Sequence, residues 1–372
     1  MSQRSKKSIT YSSTGVDYEA MDPFKREAQL KARTTAKNLK RFEMRELEAS
    51  RGESAYVWEE EDSYRALVIE GLGTKNLVAD ETRKFTGKTH YEAIAQDTVA
   101  MIVNDLLVVG AEPQVVEAYF AVGSSDWFAD EERAKDLVDG WVRACNLAGA
   151  VWGGGETPTL KGIIESDTID LSGSAVGIIK PKERLTLGNK LTAGDAIFLI
   201  ESSGIHANGL TLARTIASQI PKGYQTCLSD GRSYGESLLT PTHIYASLIR
   251  DFFEAGIEIH YMVNITGHGW RKLMRASREF SYIIEKVPEP QPIFKFIQEH
   301  SRNSDEEMYA NFNMGAGFAV FMPEQSVGLA KLIAKEKHGF DSGKAGDVEN
   351  GPKQVIIRPK KLVFQAETLG VR

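Results

Sequence analysis

Cysteine is scarce in this chain, which has only Cys145 and Cys227 among its 372 residues. Two cysteines do not build a disulfide framework, so a reducing compartment is expected. The sequence also lacks C-x-x-C and H-E-x-x-H patterns, and its seven histidines are scattered. These absences give no indication of a zinc site.

Long hydrophobic runs are missing as well. The most apolar stretch, residues 99–111, is interrupted by Asn104 and Asp105 and is too short to span a bilayer. The first ten residues are polar and basic, without the apolar stretch of a secretory signal. We therefore predict a soluble, cytoplasmic protein with no membrane partner.

No strong excess of one charge is present, since the net charge is -6 at pH 7. A weakly acidic protein has no electrostatic reason to bind nucleic acid. Residues 23–50 are locally basic but mix both signs. We interpret them as one or two surface helices with a solvated face, in preference to an RNA-binding arm.

The length and the apolar fraction of 42% suit a globular chain of about two domains. Strand patterns alternate with helical ones, and residues 131–148 form an amphipathic helix with Leu137, Trp141 and Cys145 on one face. The alternation predicts an α/β (α+β) fold. The predicted strands are residues 65–70, 115–122, 168–179 and 196–201, and the other predicted helix is 97–109.

A polar stretch at 180–190 with Pro181 reads as a linker between the two halves. We divide the chain into an N-terminal arm with helices (1–50), a first domain (51–180) and a second domain (181–372).

Glycine is concentrated at predicted strand ends, where backbone N–H groups can approach a phosphate closely. One glycine cluster alone indicates a tight turn, but five clusters flanked by Lys, Glu, Asn and His favour phosphate binding. The clusters are residues 71–75, 153–157, 204–209, 267–269 and 315–317. Gly87-Lys88-Thr89 does not complete a P-loop, because Thr82 stands where that motif needs glycine.

Oxygen-bearing side chains recur near these clusters. Asp97 and Asn104 are seven residues apart, so they lie nearly in line on a helix and suit a magnesium ion. The spacing equally allows Asp97 to cap the helix and Asn104 to be solvated. Glu156, directly after three glycines, is another candidate ligand, and Lys75 is either a phosphate contact or a surface lysine.

Nine sequence blocks in order resemble the aminoimidazole ribonucleotide synthetase family. The longest block, DTVAMIVNDLLVVGAEP, is close to the core helix of that family. The blocks are 11–17 (YSSTGVD), 70–75 (EGLGTK), 97–113, 154–162 (GGETPTLKG), 202–209 (SSGIHANG), 234–245 (YGESLLTPTHIY), 265–269 (ITGHG), 312–317 (FNMGAG) and 346–351 (GDVENG).

The resemblance implies a two-domain fold in which each half is a mixed sheet flanked by helices. It implies an ATP-binding first domain that also forms a homodimer through its strands. It further implies ring closure of formylglycinamidine ribonucleotide to aminoimidazole ribonucleotide in purine biosynthesis, with ATP and Mg²⁺ and with phosphorylation of the amide oxygen.

Residue roles follow from the same resemblance. Lys75, Asp97 and His206 are expected at the reaction, although a structural role for His206 stays open. The metal is assigned to Glu70, Asp97, Asn104 and Glu156. Nucleotide contacts are assigned to Gly15, Val16, Asp17, Gly71, Gly73, Thr74, Lys75, Gly154, Gly155, Glu156 and Asn208.

Some positions depart from the family pattern and indicate a divergent member. Glu70 stands where Asp is usual, Asn264 where His is usual, and His268 where Gly is usual. Thr159 and Lys161 replace a Glu and a Pro. Two alternatives therefore stay open: a related enzyme that phosphorylates another small substrate, and a non-catalytic nucleotide-binding homologue.

Overall fold

The computed structural model describes residue 15 and residues 18–370. They form two mixed β-sheets, one after the other along the chain, and each sheet is packed by helices. This arrangement confirms the predicted fold class.

The first sheet has six strands in the order β1-β2-β3-β6-β4-β5. Only β4 and β5 pair in parallel, and the other neighbours are antiparallel. The predicted strands at 65–70, 115–122 and 168–179 are confirmed. The six strands are β1 Arg45–Glu46, β2 Tyr56–Glu59, β3 Tyr64–Gly71, β4 Glu112–Val122, β5 Val151–Glu156 and β6 Ile169–Ile179.

Four helices belong to this half: α1 Tyr18–Arg33, α2 Lys75–Thr86, α3 Tyr91–Leu107 and α4 Glu131–Ala148. Helix α4 has the predicted bounds. At its start, the Asp130 side chain accepts a hydrogen bond from Arg133 N. At its end, Gly149 adopts a left-handed backbone conformation. Leu137, Trp141 and Cys145 are buried, as its amphipathic pattern predicted.

One face of the first sheet is not covered by the described residues of this chain. Its strand register lines up Leu67, Val176, Val115 and Val151 as neighbours across four strands. Ile69, two residues after Leu67 and therefore on the same face, is 76% exposed. An apolar row of this kind on an open sheet face marks a contact surface.

The second sheet has seven strands in the order β13-β12-β9-β11-β7-β10-β8. Central strand β10 is fully buried, as expected for a strand covered on both faces. The strands are β7 Ala196–Glu201, β8 Tyr261–Asn264, β9 Ser281–Ile284, β10 Ala316–Met322, β11 Ser342–Glu349, β12 Gln354–Ile357 and β13 Leu362–Gln365. The helices are α5 Leu210–Gln219, α6 Tyr234–Leu238, α7 Ala246–Glu254, α8 Pro292–Ser301, α9 Asp305–Asn311 and α10 Val327–His338.

Residues 23–50, predicted as surface helices, are more varied. The exposed helix α1 is followed by a 3₁₀ turn at Ala36–Phe42 and the short strand β1. Among residues 18–370, no helix combines the length and apolarity that a membrane span requires.

A buried histidine lies between two carboxylates next to the first residues of strands β7 and β8. His260 Nδ1 lies 2.8 Å from Asp195 Oδ2, and its Nε2 lies 3.2 Å from Glu258 Oε1. The hydrogen bond with Asp195 raises the pKa of His260 above 6.5, against the effect of burial.

A group with a raised pKa stabilises the fold below its unfolded pKa, and this contribution is lost as the pH rises through its folded pKa. We therefore expect the free energy of unfolding to fall as the pH rises from 6.5 through that value. Urea denaturation across this range measures it. In the variant His260→Gln, the free energy of unfolding should depend less steeply on pH over this range. An unchanged pH dependence would show that His260 is not the responsible group.

Candidate active site between the two domains

Helix α3 joins the two halves through its polar side chains. Residues 241–245 have no helical or strand bonds, so their backbone groups need other partners. Asn104 accepts from Tyr245 N at 3.1 Å and donates to the His243 carbonyl at 2.8 Å. Gln96 donates to the Thr242 carbonyl at 2.9 Å. One face of α3 thus supplies the hydrogen bonds that this segment lacks.

A buried ion pair closes the same junction. Lys75 Nζ lies 2.7 Å from Asp97 Oδ2, and both side chains are fully buried. Asp97 Oδ1 also accepts from Thr242 N at 2.8 Å. Burial raises the pKa of Asp97 and lowers that of Lys75, and in each case the opposite charge of the partner counteracts the shift.

Lys75 also holds the loop before α5. Its Nζ donates to the His206 carbonyl at 2.9 Å and to the Thr240 carbonyl at 3.0 Å. With the Asp97 carboxylate, three oxygens of this chain therefore surround the ammonium group. Lys75 therefore ties both domains together.

The structure places three of the predicted ligand residues inside this junction. Lys75, Asp97 and Asn104 are buried and bonded within the protein, and their phosphate and metal contacts stay predictions. The pattern on α3 identified the polar face correctly, but a segment of the second domain covers that face.

His206 also lies inside the junction. It is buried, its Nε2 accepts from Ser203 N at 3.2 Å, and its backbone is left-handed with φ 59. Burial lowers its pKa well below 6.5, with smaller contributions from His243 and Lys75. A buried neutral imidazole fits the structural role that the sequence left open, and it does not fit a proton donor to an external substrate.

A cavity of about 320 Å³ opens beside this junction. Both domains and both ends of the described chain contribute to its lining. Gly370 is one of its lining residues, and its charged and polar side chains are Lys25, Arg26, Gln29, Glu53, Ser54, Glu70, Asp105, Asn208, Thr266, His268, Lys272 and Arg275. Of the predicted site residues, Glu70 and Asn208 lie here.

The cavity contains opposed charges close together. Burial raises the pKa of Glu70 to about 7, with a further rise from Asp105, while Lys272 and Arg275 lower it. Asp105 Oδ1 accepts from Asn264 Nδ2 at 2.7 Å, and Lys272 donates to the Asn264 carbonyl at 3.2 Å. Asn264, which replaces a usual histidine, thus orients both charged groups.

The donor chemistry of this cavity fits magnesium. Residues 18–370 contain no cluster of three or more His, Cys, Asp or Glu side chains that would hold a metal unaided. Magnesium usually takes one or two carboxylates and completes its shell with water and nucleotide phosphates. Glu70 and Asp105 supply two carboxylates at one cavity wall.

The glycine sites of the first domain meet at one edge of the first sheet. Gly71 pairs with Ser172, Ser172 with Tyr119, and Tyr119 with Glu156, so the ends of β3 and β5 share one register row. Gly71, Gly73, Gly155 and Glu156 are exposed at this edge. Thr74 precedes α2, and its hydroxyl has no hydrogen-bond partner within the described part of the chain.

The remaining predicted nucleotide contacts lie apart from the cavity. Gly154 lies at the same edge of the sheet, and Gly15 is exposed with φ 94. Val16 and Asp17 fall outside the described residues.

Among the charged cavity residues that sequence reasoning missed are Glu53, Asp105, Lys272 and Arg275. Asp105 could have been found, because it follows Asn104 within the block that carries the strongest resemblance. The other three lie outside every block, and only folding brings them to Glu70.

Comparison with known families matches both halves of the chain. The family model described as AIR synthase related protein, N-terminal domain, matches residues 52–179. The model of the C-terminal domain of the same family matches residues 192–358.

Several curated proteins are similar over most of their length. A phosphoribosylformylglycinamidine cyclo-ligase of Methanocaldococcus jannaschii is 37% identical over 88% of this chain and 89% of that protein. The protein of the same name from Thermococcus kodakarensis is 35% identical over 90% of this chain and 95% of its own length.

Solved structures share the fold at lower identity. The HypE–HypF complex aligns with a TM-score of 0.58 and 18% identity over 82% of this chain and 90% of that chain. Thiamine-monophosphate kinase from Stenotrophomonas maltophilia aligns with a TM-score of 0.58 and 15% identity over 82% of this chain and 88% of that chain.

The buried pair at the junction generates a stability prediction. Asp97→Asn leaves the Lys75 ammonium buried without its counter-charge, so we expect a loss of about 3–5 kcal/mol in the free energy of unfolding. Urea denaturation measures this loss. The double variant Lys75→Met/Asp97→Leu should recover part of it, because it removes both charges.

The exposed pair of Lys135 and Asp139 on α4 is the matched control. Asp139→Asn should cost less than about 1 kcal/mol. A similarly small cost for Asp97→Asn would show that the buried pair does not hold the domains together.

Proposed function

Because the chain belongs to the AIR synthase related protein family, we propose that it is an ATP-dependent cyclo-ligase that converts formylglycinamidine ribonucleotide to aminoimidazole ribonucleotide in purine biosynthesis. The proposal is supported by the high coverage of curated relatives with this activity in their name. The observation that carries it is the interdomain cavity, which sets two carboxylates against basic side chains.

The reaction needs no protein nucleophile. The formyl amide oxygen of the substrate attacks the γ-phosphorus of ATP, the bond from phosphorus to the β,γ-bridging oxygen breaks, and ADP leaves. An amidine nitrogen of the substrate then attacks the activated formyl carbon. Loss of inorganic phosphate and a proton completes the ring, so the protein must mainly position both substrates and balance charge.

The charged cavity suits this task. Lys272 and Arg275 line it from the second domain, and Lys25 and Arg26 line it from α1. We place the transferring phosphoryl group among these four cations, where preorganised positive charge opposes the charge that develops during transfer. Asn208 on the same wall offers an amide to the substrate.

Glu70 and Asp105 are the residues that would hold a magnesium ion in this cavity. When bound, the ion would neutralise and orient the phosphate oxygens of ATP. Glu70 extends one methylene further than the usual Asp, and its carboxylate is held next to Lys272 and Arg275.

We assign nucleotide binding to the sheet edge formed by Gly71, Gly73, Thr74, Gly154 and Gly155. These positions expose backbone at the end of β3, which carries Glu70, and in β5, which β6 and β4 separate from β3. Lys75 follows Thr74 at the start of α2, and its ammonium group is bonded at the junction. A cytoplasmic location is part of the proposal, in keeping with the two cysteines.

We propose that two copies form a homodimer through the open face of the first sheet. The apolar row from Leu67 to Val151 crosses four strands, and Leu67, Val115 and Val151 are exposed within the described part of the chain. A twofold axis would pack this row against itself and bury it.

Glu70 generates a prediction about magnesium binding. Because its carboxylate must be deprotonated to bind a cation, and its pKa is about 7, we expect magnesium affinity in the presence of ATP to fall about tenfold per pH unit below 7. Calorimetric titration of magnesium between pH 6 and pH 8 (about one unit either side of the pKa) measures this.

In the Glu70→Gln variant, magnesium affinity should no longer depend on pH in this range. Its kcat/KM for ring closure should be at least about 100-fold lower. Glu70→Asp restores the residue usual at this position and serves as the control, with activity retained. Full activity and unchanged magnesium binding in Glu70→Gln would remove Glu70 from the site.

The proposed homodimer generates a prediction about the oligomeric state. Ile69→Lys places a charge on the proposed dimer face without disturbing the core, because Ile69 is 76% exposed. We expect sedimentation equilibrium to give a dimer for the wild type and a monomer for Ile69→Lys. Leu332→Lys, an exposed change on α10 of the second domain, should stay dimeric. A monomeric wild type would refute the proposed dimer.

A further inference from the structure

A second and larger cavity, of about 790 Å³, lies between α2 and α5. It is lined by both domains: by α2 and residues Asp167 and Thr168 from the first, and by α5 and residues 222–225 from the second. None of the predicted site residues lines it. Its volume falls within the range of about 300–1,000 Å³ that is usual for small-molecule sites.

Two of its basic side chains have no acidic partner. Arg83 pairs with Asp130 and Glu132, Lys84 with Glu81, and Arg133 with Asp80. Arg214 and Lys222, by contrast, form no ion pair with any residue in the described part of the chain. Two such cations at one cavity wall favour an anionic ligand.

The position of Arg214 is fixed by its surroundings. It lies next to Tyr224, whose pKa burial raises to about 12 while Arg214 lowers it. Tyr224 in turn stacks on Tyr234, with ring centroids 6.2 Å apart. The tyrosine is thus held in place and holds the guanidinium at the cavity wall.

The opposite wall offers different chemistry. Asp167 forms no ion pair among the described residues, and its carboxylate accepts hydrogen bonds only. Phe85 lines the cavity and is 37% exposed. A ligand that combines a phosphate, hydroxyl groups and an apolar face matches these groups.

We propose that this cavity binds the ribose 5-phosphate part of the ribonucleotide substrate. Arg214 and Lys222 bind the phosphate, and Asp167 accepts from the ribose hydroxyls. This assignment rests on the proposed function and adds to it the location of the substrate, because it separates that phosphate from the phosphates of ATP in the smaller cavity.

The course of α2 connects the two regions. Lys75 begins α2 at the domain junction, Leu77 in the same first turn lines the larger cavity, and Arg83 lies six residues further on. Six residues span about 9 Å of helix. The larger cavity therefore begins within one helical turn of Lys75 and extends outward along α2, so a phosphate at its outer end would lie at a distance from the junction.

Arg214→Gln tests the assignment, because it keeps a polar side chain and removes the charge. We expect KM for formylglycinamidine ribonucleotide to rise about tenfold or more, since a charge-assisted phosphate contact is lost. The KM for ATP should stay the same. Lys222→Ala, at an exposed residue where folding is not at risk, should act in the same direction.

Binding of ribose 5-phosphate, measured by calorimetry on the full chain, tests the site without the reaction. The wild type should bind it, and Arg214→Gln should bind it about tenfold more weakly. Lys331→Ala, an exposed change on α10, is the matched control and should leave binding and both KM values unchanged.

The outcomes separate this inference from the proposed function. Ribose 5-phosphate binding that depends on Arg214, in a protein without ring-closing activity, would support the site and refute the function. An active enzyme in which both variants keep the wild-type KM for formylglycinamidine ribonucleotide would overturn the inference. A rise in the KM for ATP alone would also overturn it, because the cavity would then bind ATP.

Discussion

The structure depends on how the backbone of residues 241–245 obtains its hydrogen bonds. A segment without regular structure cannot be buried unless other groups bond its N–H and carbonyl groups. Asp97, Gln96 and Asn104 on α3 provide those bonds from the other domain. The Lys75–Asp97 pair lies within the first domain, and the second domain covers it with backbone groups that bond both side chains. The two halves are thereby fixed against each other.

This junction determines the geometry of both cavities. The smaller one contains groups from β3, α3 and the loop after β8, so its charge balance exists only when the domains are docked. Glu70 illustrates the consequence, because Asp105 raises its pKa while Lys272 and Arg275 from the second domain lower it. The larger cavity likewise needs α2 from one domain and α5 from the other.

Much of the fold follows from local patterns. The amphipathic period of residues 131–148 predicted α4 with its correct bounds. The strand β7 was also predicted with its correct bounds, because a short apolar run followed by a polar residue and glycines is typical of a buried strand. By contrast, helical spacing placed Asp97 and Asn104 on one face but could not show what covers that face. The same holds for Lys75, whose partners in the second domain are distant in the sequence.

The sequence by itself determined the family, the order of strands and helices, and the positions of the glycine-rich turns, because these depend on residues close together in the chain. Only the tertiary structure decided which polar side chains face a ligand. Burial and pairing are set by contacts between distant segments, such as Glu70 with Lys272 or Lys75 with Thr240. Local sequence does not encode those distances, so a motif residue and a cavity residue can be different residues.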